Sequence, residues 1–194
     1  MTIDYYQENA QNFYDGTVNV NMDELYDRFL KYIPDKSKIL DVGCGSGRDT
    51  KAFLNKGYDV VAMDASSEMV ERASQLTNTE VLHRTFLQVE EVNRYDAIWC
   101  CASLLHANRV ELPQTMRCIT NSLKYGGYWY LSFKYGESDR SKDGRHFTDM
   151  TEESLSLLIN DFHDLHIEEC WITNDLRPNI SEKWLNAILR KSNL

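Results

Sequence analysis

Glycines 43, 45 and 47 alternate along ILDVGCGSGRDT (residues 39–50), directly after an apolar run that carries Asp41. Glycine is costly in chain entropy and is favoured where φ must be positive or a ligand must touch the backbone. The chain holds nine glycines and places three of them here, where a strand should give way to a helix. The chemistry this predicts is binding of a nucleotide-like ligand against backbone amides. Asp64 ends the next apolar run, VVAMD, where a carboxylate accepts hydrogen bonds from both hydroxyls of a ribose. A dinucleotide fingerprint would need glycine at position 48, and arginine stands there. Asp41 would repel a pyrophosphate and suits a cation. The competing reading, a tight turn that is merely glycine-rich, does not account for Asp41 and the spacing to Asp64.

Other residues could carry chemistry further along. His106, in CASLLH, follows the fourth apolar run, and histidine is the usual base near neutral pH. Its alternative is a histidine that caps or packs the next helix. Arg145 lies in FKYGESDRSKDGRHFTDM, a long charged connection of the kind that is often functional. Lys134, Arg145, His146 and Arg177, with His106, are expected on one rim. Pairing with Glu137, Asp139, Asp143 and Asp175 is the alternative. Cys100 and Cys101 read as small strand residues rather than nucleophiles, since no base or cation is identifiable beside them. His163, His166 and Cys170 lie at strand spacings that point to opposite faces, so no metal site is expected. Tyr5, Tyr6 and Tyr14 suit either a lid or a packing stripe.

The elements that position these residues follow from periodicity. Tyr6, Ala10 and Phe13, then Met22, Leu25, Tyr26, Phe29, Leu30 and Ile33, repeat with helical spacing before Pro34. From Lys38 onward, short apolar strands alternate with helices: KILDV, YDVVAMD, TEVLHRTF, YDAIWCCAS and YWYLSF. Helices between them carry Met69, Ala73 and Leu76, and then Leu112, Met116, Ile119 and Leu123. That alternation predicts right-handed βαβ units on a mostly parallel sheet. After a helix with Leu155, Leu158 and Ile159, HIEECWIT and EKWLNAILR flank an NDLRPN turn as a closing antiparallel pair, although residues 182–191 also suit a terminal helix. No repeat, low-complexity tract or linker appears. One domain over residues 1–194 is expected, with 1–33 as a helical lid.

Composition sets outer bounds. At 194 residues and 42% hydrophobic content, the chain suffices for a sizeable core. No apolar stretch approaches the roughly 20 residues that span a bilayer, and the polar, acidic N-terminus does not read as a signal peptide. Five cysteines make no disulfide framework. A cytoplasmic protein, monomeric or weakly dimeric, is expected. A net charge of -9 disfavours nucleic acid as a partner.

ILDVGCGSGRDT…VVAMDAS resembles the first two motifs of the class I S-adenosylmethionine-dependent methyltransferases. YDAIWCCASLLH resembles their fourth strand, and LKYGGYWYLSFKYG their L-x-P-G-G turn and fifth strand, with Lys124-Tyr125 where Lys-Pro is usual. Small bacterial proteins of the tellurite-resistance and methyltransferase type 11/12 kind are similar. The resemblance implies a Rossmann-like, doubly wound α/β sheet of seven strands, order 3-2-1-4-5-7-6, with strand seven antiparallel. It implies S-adenosyl-L-methionine as cofactor, bound by Asp41, Gly43, Cys44, Gly45, Gly47, Asp64, Ala65, Met69, Phe86 and Cys101. Thr85-Phe86 replaces the Gly-Asp often found after strand three, which removes a carboxylate partner for the adenine amine. Methyl transfer to a small-molecule acceptor, with an anionic acceptor favoured by the cationic rim, is the function expected. His106 and Arg145 are the residues expected near the chemistry. No [DN]-P-P-[YFW] motif of amino-group DNA methyltransferases is present. The alternatives are an NAD-dependent oxidoreductase and a cofactor-binding module without catalysis.

Overall fold

A computed structural model describes residues 2–177 and 180–193. Three helices open the chain: α1 (Thr2–Glu8), α2 (Ala10–Thr17) and α3 (Asp23–Leu30). Strand β1 (Lys38–Val42) is buried along nearly its whole length, as a central parallel strand must be. It is followed by α4 (Arg48–Asn55), β2 (Asp59–Asp64), α5 (Ser67–Thr77) and β3 (Val81–His83). Then come β4 (Tyr95–Cys100), α6 (Leu112–Ser122) and β5 (Leu123–Lys134), with single 3-10 turns at Phe86–Gln88 and Leu104–His106. The remainder is β6 (Asp139–Lys142), β7 (Arg145–Thr148), α7 (Glu152–Ile159), β8 (Leu165–Asn174) and β9 (Lys183–Lys191).

The main sheet has the order β3-β2-β1-β4-β5-β9-β8, and β9 runs antiparallel to both neighbours. This is the expected 3-2-1-4-5-7-6 order with a hairpin inserted between the fifth and sixth sheet strands. Residues 183–191 are strand rather than helix: their buried run pairs with β5 on one side and β8 on the other. The NDLRPN turn falls partly on residues 178 and 179, outside the described residues.

Three local expectations are corrected. TEVLHRTF is a strand only over Val81–His83, because Thr85 and Gln88 close a capping box that turns the chain. The fifth strand starts at Leu123, before the glycine pair. Gly126 takes φ +81, and a Cβ on Gly127 would stand 2.7 Å from the Asp96 carbonyl oxygen, so this strand start needs both glycines. The charged stretch after β5 is not an open loop, since β6 and β7 pair through Lys142↔Arg145 around Asp143-Gly144, both at positive φ.

Apolar side chains pack on both sheet faces. One cluster joins α6 and α7 to the sheet through Leu112, Met116, Ile119, Leu155 and Trp129. The other seats α3 and α4 through Tyr26, Phe29 and Phe53 on Trp99 and Tyr130, which stack at 3.9 Å. These layers hold the carboxyl ends of β1, β2, β4 and β5 at one edge, where a ligand is expected on such a sheet. Among the described residues, no helix is long and apolar enough to cross a membrane.

Candidate active site

The glycine loop takes its shape from two strands. Gly43 and Cys44 donate backbone hydrogen bonds to the Met63 carbonyl at 2.8 and 3.0 Å, so the loop leaves β1 tethered to the end of β2. Gly43 (φ +73) passes so close to the segment after β4 that a Cβ would stand 2.6 Å from the Ser103 Cβ. Gly45 (φ +53) faces the Phe13 ring, 3.1 Å from where a Cβ would lie. Gly47 (φ +80) caps α4 and packs on the Ala73 backbone of α5, which makes it a helix-packing glycine.

Asp64 stands at the end of β2 beside this loop. Its carboxylate accepts from the Gly45 amide and the Ser66 amide, each at 2.9 Å. The Ala65 amide also reaches it, and a carboxylate has about four acceptor positions, so capacity remains for a ribose hydroxyl. Burial pushes its pKa up against the pull of those amides. Asp41 lies behind the loop instead, buried and holding the Thr50 hydroxyl at 2.6 Å. Burial and the charge of Asp49 raise its pKa to about 8. Asp49 is held in its ionised form by donors: Arg48, Tyr26 at 2.5 Å and Trp99 at 2.8 Å.

A cavity of about 860 Å³ opens at this edge of the sheet. Of the residues expected at the cofactor, it is lined by Gly43, Cys44, Gly45, Asp64, Ala65, Met69, Phe86 and Cys101; Asp41 and Gly47 are not on its wall. His106 and Arg145 line the same cavity. His146 is not on the wall, and its ring turns to Thr148 at 3.0 Å. Burial pushes the Cys101 thiol up to about 12, which leaves it no thiolate near neutral pH.

His106 sits in a 3-10 turn after β4, clear of the helix it was alternatively expected to cap. Its Nδ1 lies 2.8 Å from the His146 carbonyl oxygen. A carbonyl only accepts, so Nδ1 carries the proton, and the bare Nε2 accepts from the Tyr6 hydroxyl at 2.8 Å. Burial, with Arg145 adding to it, lowers the His106 pKa to about 4. Tyr6 arrives on α1, and its own pKa is pushed up to about 12 by burial. Tyr6 lines the cavity, whereas Tyr5 and Tyr14 do not.

The far wall is charged. The Lys134 ammonium is buried between Asp175 (3.4 Å) and Glu182. Arg177 binds Asp175 through Nε at 2.9 Å and Nη2 at 2.6 Å, and Arg140 pairs with Asp149 and Glu182. Arg145 meets Asp143 only at 3.4 Å.

Three wall features had no signal in the linear sequence. Ala102 holds φ +52 at the end of β4, an uncommon backbone state for alanine, with its amide tied to the Ser132 hydroxyl at 2.8 Å. Ser103 Oγ is buried at the cavity without a hydrogen-bond partner among the described residues. Tyr6 suited either a lid or a packing stripe, but its bond to His106 gave no signal because the partner is 100 positions away.

Residues 39–127 match the model of a methyltransferase domain family. A methyltransferase of Staphylococcus carnosus (strain TM300) is 24% identical over 173 residues, covering 76% of this chain and 84% of that protein. Family match, relatives and fold together support a class I S-adenosylmethionine-dependent methyltransferase. Methyltransferases of known structure superpose along nearly its whole length. The 1,6-didemethyltoxoflavin-N1-methyltransferase of Burkholderia thailandensis, solved with 1,6-didemethyltoxoflavin and S-adenosylhomocysteine, gives a TM-score of 0.80 at 19% identity, covering 98% of this chain and 85% of that one. The N-methyltransferase NodS from Bradyrhizobium japonicum WM9, in complex with S-adenosylhomocysteine, gives 0.73 at 16% identity, covering 98% and 100%. The methyltransferase fold thus places the glycine loop, Asp64 and His106 on one cavity wall.

Proposed function

We propose that this methyltransferase holds S-adenosylmethionine against the glycine loop and Asp64, and methylates a small-molecule acceptor seated between His106 and Arg145. The observation that carries the reading is the single cavity of about 860 Å³ that both groups of residues line, large enough for a cofactor and a compact second molecule. The residues fit the cofactor. Asp64 retains acceptor capacity for a ribose, Ser103 Oγ is a buried polar atom lacking a hydrogen-bond partner among the described residues, and the positive-φ glycines bring bare backbone to the wall. When bound, S-adenosylmethionine supplies an electrophilic methyl group on a sulfonium.

The protein's own work is alignment and water exclusion. The helices α1 and α2 act as a lid, while α3 packs into the core. Within it, Gln7 accepts from the Ser66 hydroxyl at 2.6 Å and Phe13 covers Gly45. The Thr2 hydroxyl accepts from the His146 amide at 3.0 Å. His106, neutral and with Nε2 turned into the cavity, is the base for an acceptor that must lose a proton, and the Tyr6 hydroxyl holds that nitrogen until the acceptor arrives. Free thiols at all five cysteines suit a reducing cytoplasm.

Amide NMR tests this arrangement without knowledge of the acceptor. S-adenosylhomocysteine should shift the Gly43, Gly45, Ser46, Asp64 and Ala65 resonances, and NADH should not. Shifts with NADH alone would return the chain to the oxidoreductase reading.

A further inference from the structure

The cations of the cavity wall are unequally committed. Arg177 is held by Asp175 through two bonds, Lys134 lies between Asp175 and Glu182, and Arg140 is held by Asp149 and Glu182. Three cations thus face three carboxylates, and this cluster presents little net charge. Arg145 differs. Its pairing with Asp143 is long, at 3.4 Å, and Asp143 is itself well exposed. Its Nε is buried without a hydrogen-bond partner among the described residues; Arg140 Nε shares that state but has the Asp149 carboxylate at 2.7 Å. A buried guanidinium donor in that state wants an acceptor, and carboxylates match its planar fork.

Rings surround that donor. The Arg145 guanidinium lies 4.1 Å over the Tyr5 ring and 5.2 Å from the Phe147 ring. Phe147 touches the His106 ring at 5.1 Å, and His106 touches Tyr6 at 5.5 Å. Tyr6, His106, Arg145 and Phe147 all line the cavity. The Tyr6 hydroxyl oxygen lies within hydrogen-bonding reach of both Arg145 and His106. An anion on Arg145 and an atom beside His106 Nε2 are therefore only about one aromatic ring apart. A flat ligand there gains ring-on-ring contact with Tyr6 and Phe147.

Resting on the assignment of this half of the cavity to the acceptor, we propose that the acceptor is a compact aryl carboxylate, its carboxylate on Arg145 and its ring against Tyr6 and Phe147. Arg177 and Lys134 shape the wall and do not bind the anion.

The test uses the full chain loaded with S-adenosylhomocysteine and four probes: benzoate, acetate, benzamide and inorganic phosphate, titrated by NMR. Benzoate should bind at least about tenfold more tightly than the other three. Arg145→Gln should weaken benzoate at least about tenfold while the variant still binds S-adenosylhomocysteine. Arg177→Gln should leave benzoate within about threefold. Benzoate that fails to bind, or binds Arg145→Gln as well as wild type, overturns the proposal. Phosphate or acetate binding as tightly as benzoate overturns the aryl assignment. Benzoate lost in Arg177→Gln but retained in Arg145→Gln would move the anion to Asp175's partner and likewise overturn it. Failure of S-adenosylhomocysteine itself to bind would instead refute the cofactor reading on which the proposal rests.

Discussion

His106 has two stable hydrogen bonds, and together they fix its chemistry before any ligand is present. The His146 carbonyl assigns the proton to Nδ1, and the Tyr6 hydroxyl holds Nε2. Burial lowers its pKa from the ordinary 6.5 to about 4. The unfolded chain therefore binds a proton on this residue between those values and the folded chain does not. Stability contributed by neutral His106 is present above about pH 6.5 and is lost as pH falls through about 4. Nitrogen NMR should show the neutral Nδ1–H form at pH 5, and Tyr6→Phe should raise the titration point by withdrawing a donor from the neutral form. A midpoint near 6.5 in wild type would contradict this. Among the glycines, Gly45→Val meets both φ +53 and the Phe13 ring, whereas Gly16 has open space around it. Gly45→Val should abolish S-adenosylhomocysteine binding in calorimetry while Gly16→Val leaves it intact. The glycine spacing and Asp64 were legible in the sequence because their chemistry is local. The Tyr6 partnership was not, since its two halves meet only through the fold.

At the scale of elements, α1 is held in an unusual way. None of its residues is fully buried and Tyr6 sits deepest, so its docking rests on Tyr6, on Gln7 with Ser66 and Glu68, and on ring contact with Arg145. A helix attached by side-chain hydrogen bonds worth about 1 kcal/mol each opens far more easily than the core. Removing residues 2–8 should therefore change the melting temperature little and speed S-adenosylhomocysteine dissociation at least about tenfold, read by stopped flow. Equal dissociation rates would deny α1 any lid role. The β6–β7 hairpin shows why an element escaped the sequence. β6 exposes charged side chains rather than an alternating apolar face, and β7 offers only the short buried pair Phe147-Thr148. The signal that was present, Asp143-Gly144 between Lys142 and Arg145, is a hairpin turn dipeptide. The other strands were legible because they are buried and apolar, and the short β3 was over-extended because a capping box does not interrupt hydrophobicity.

The whole molecule carries a net charge of -9, yet collects Lys134, Arg140, Arg145 and Arg177 around one cavity. The cationic rim and its pairing with Asp175 were both legible, but the part played by Glu182 was not, because it lies 48 positions from Lys134. What the sheet order accomplishes is to bring the ends of β1, β2 and β4 to one wall, with Asp64 central to it. Asp64 is the side chain on which cofactor binding should depend most, since each hydrogen bond to a carboxylate is worth roughly 1.5–3 kcal/mol. The most direct measurement is a calorimetric titration of S-adenosylmethionine into wild type and Asp64→Ala, with melting temperatures recorded on the same samples. The account predicts binding to wild type, at least about tenfold weaker binding to Asp64→Ala, and a folded variant. Unchanged affinity in a folded Asp64→Ala protein would contradict it.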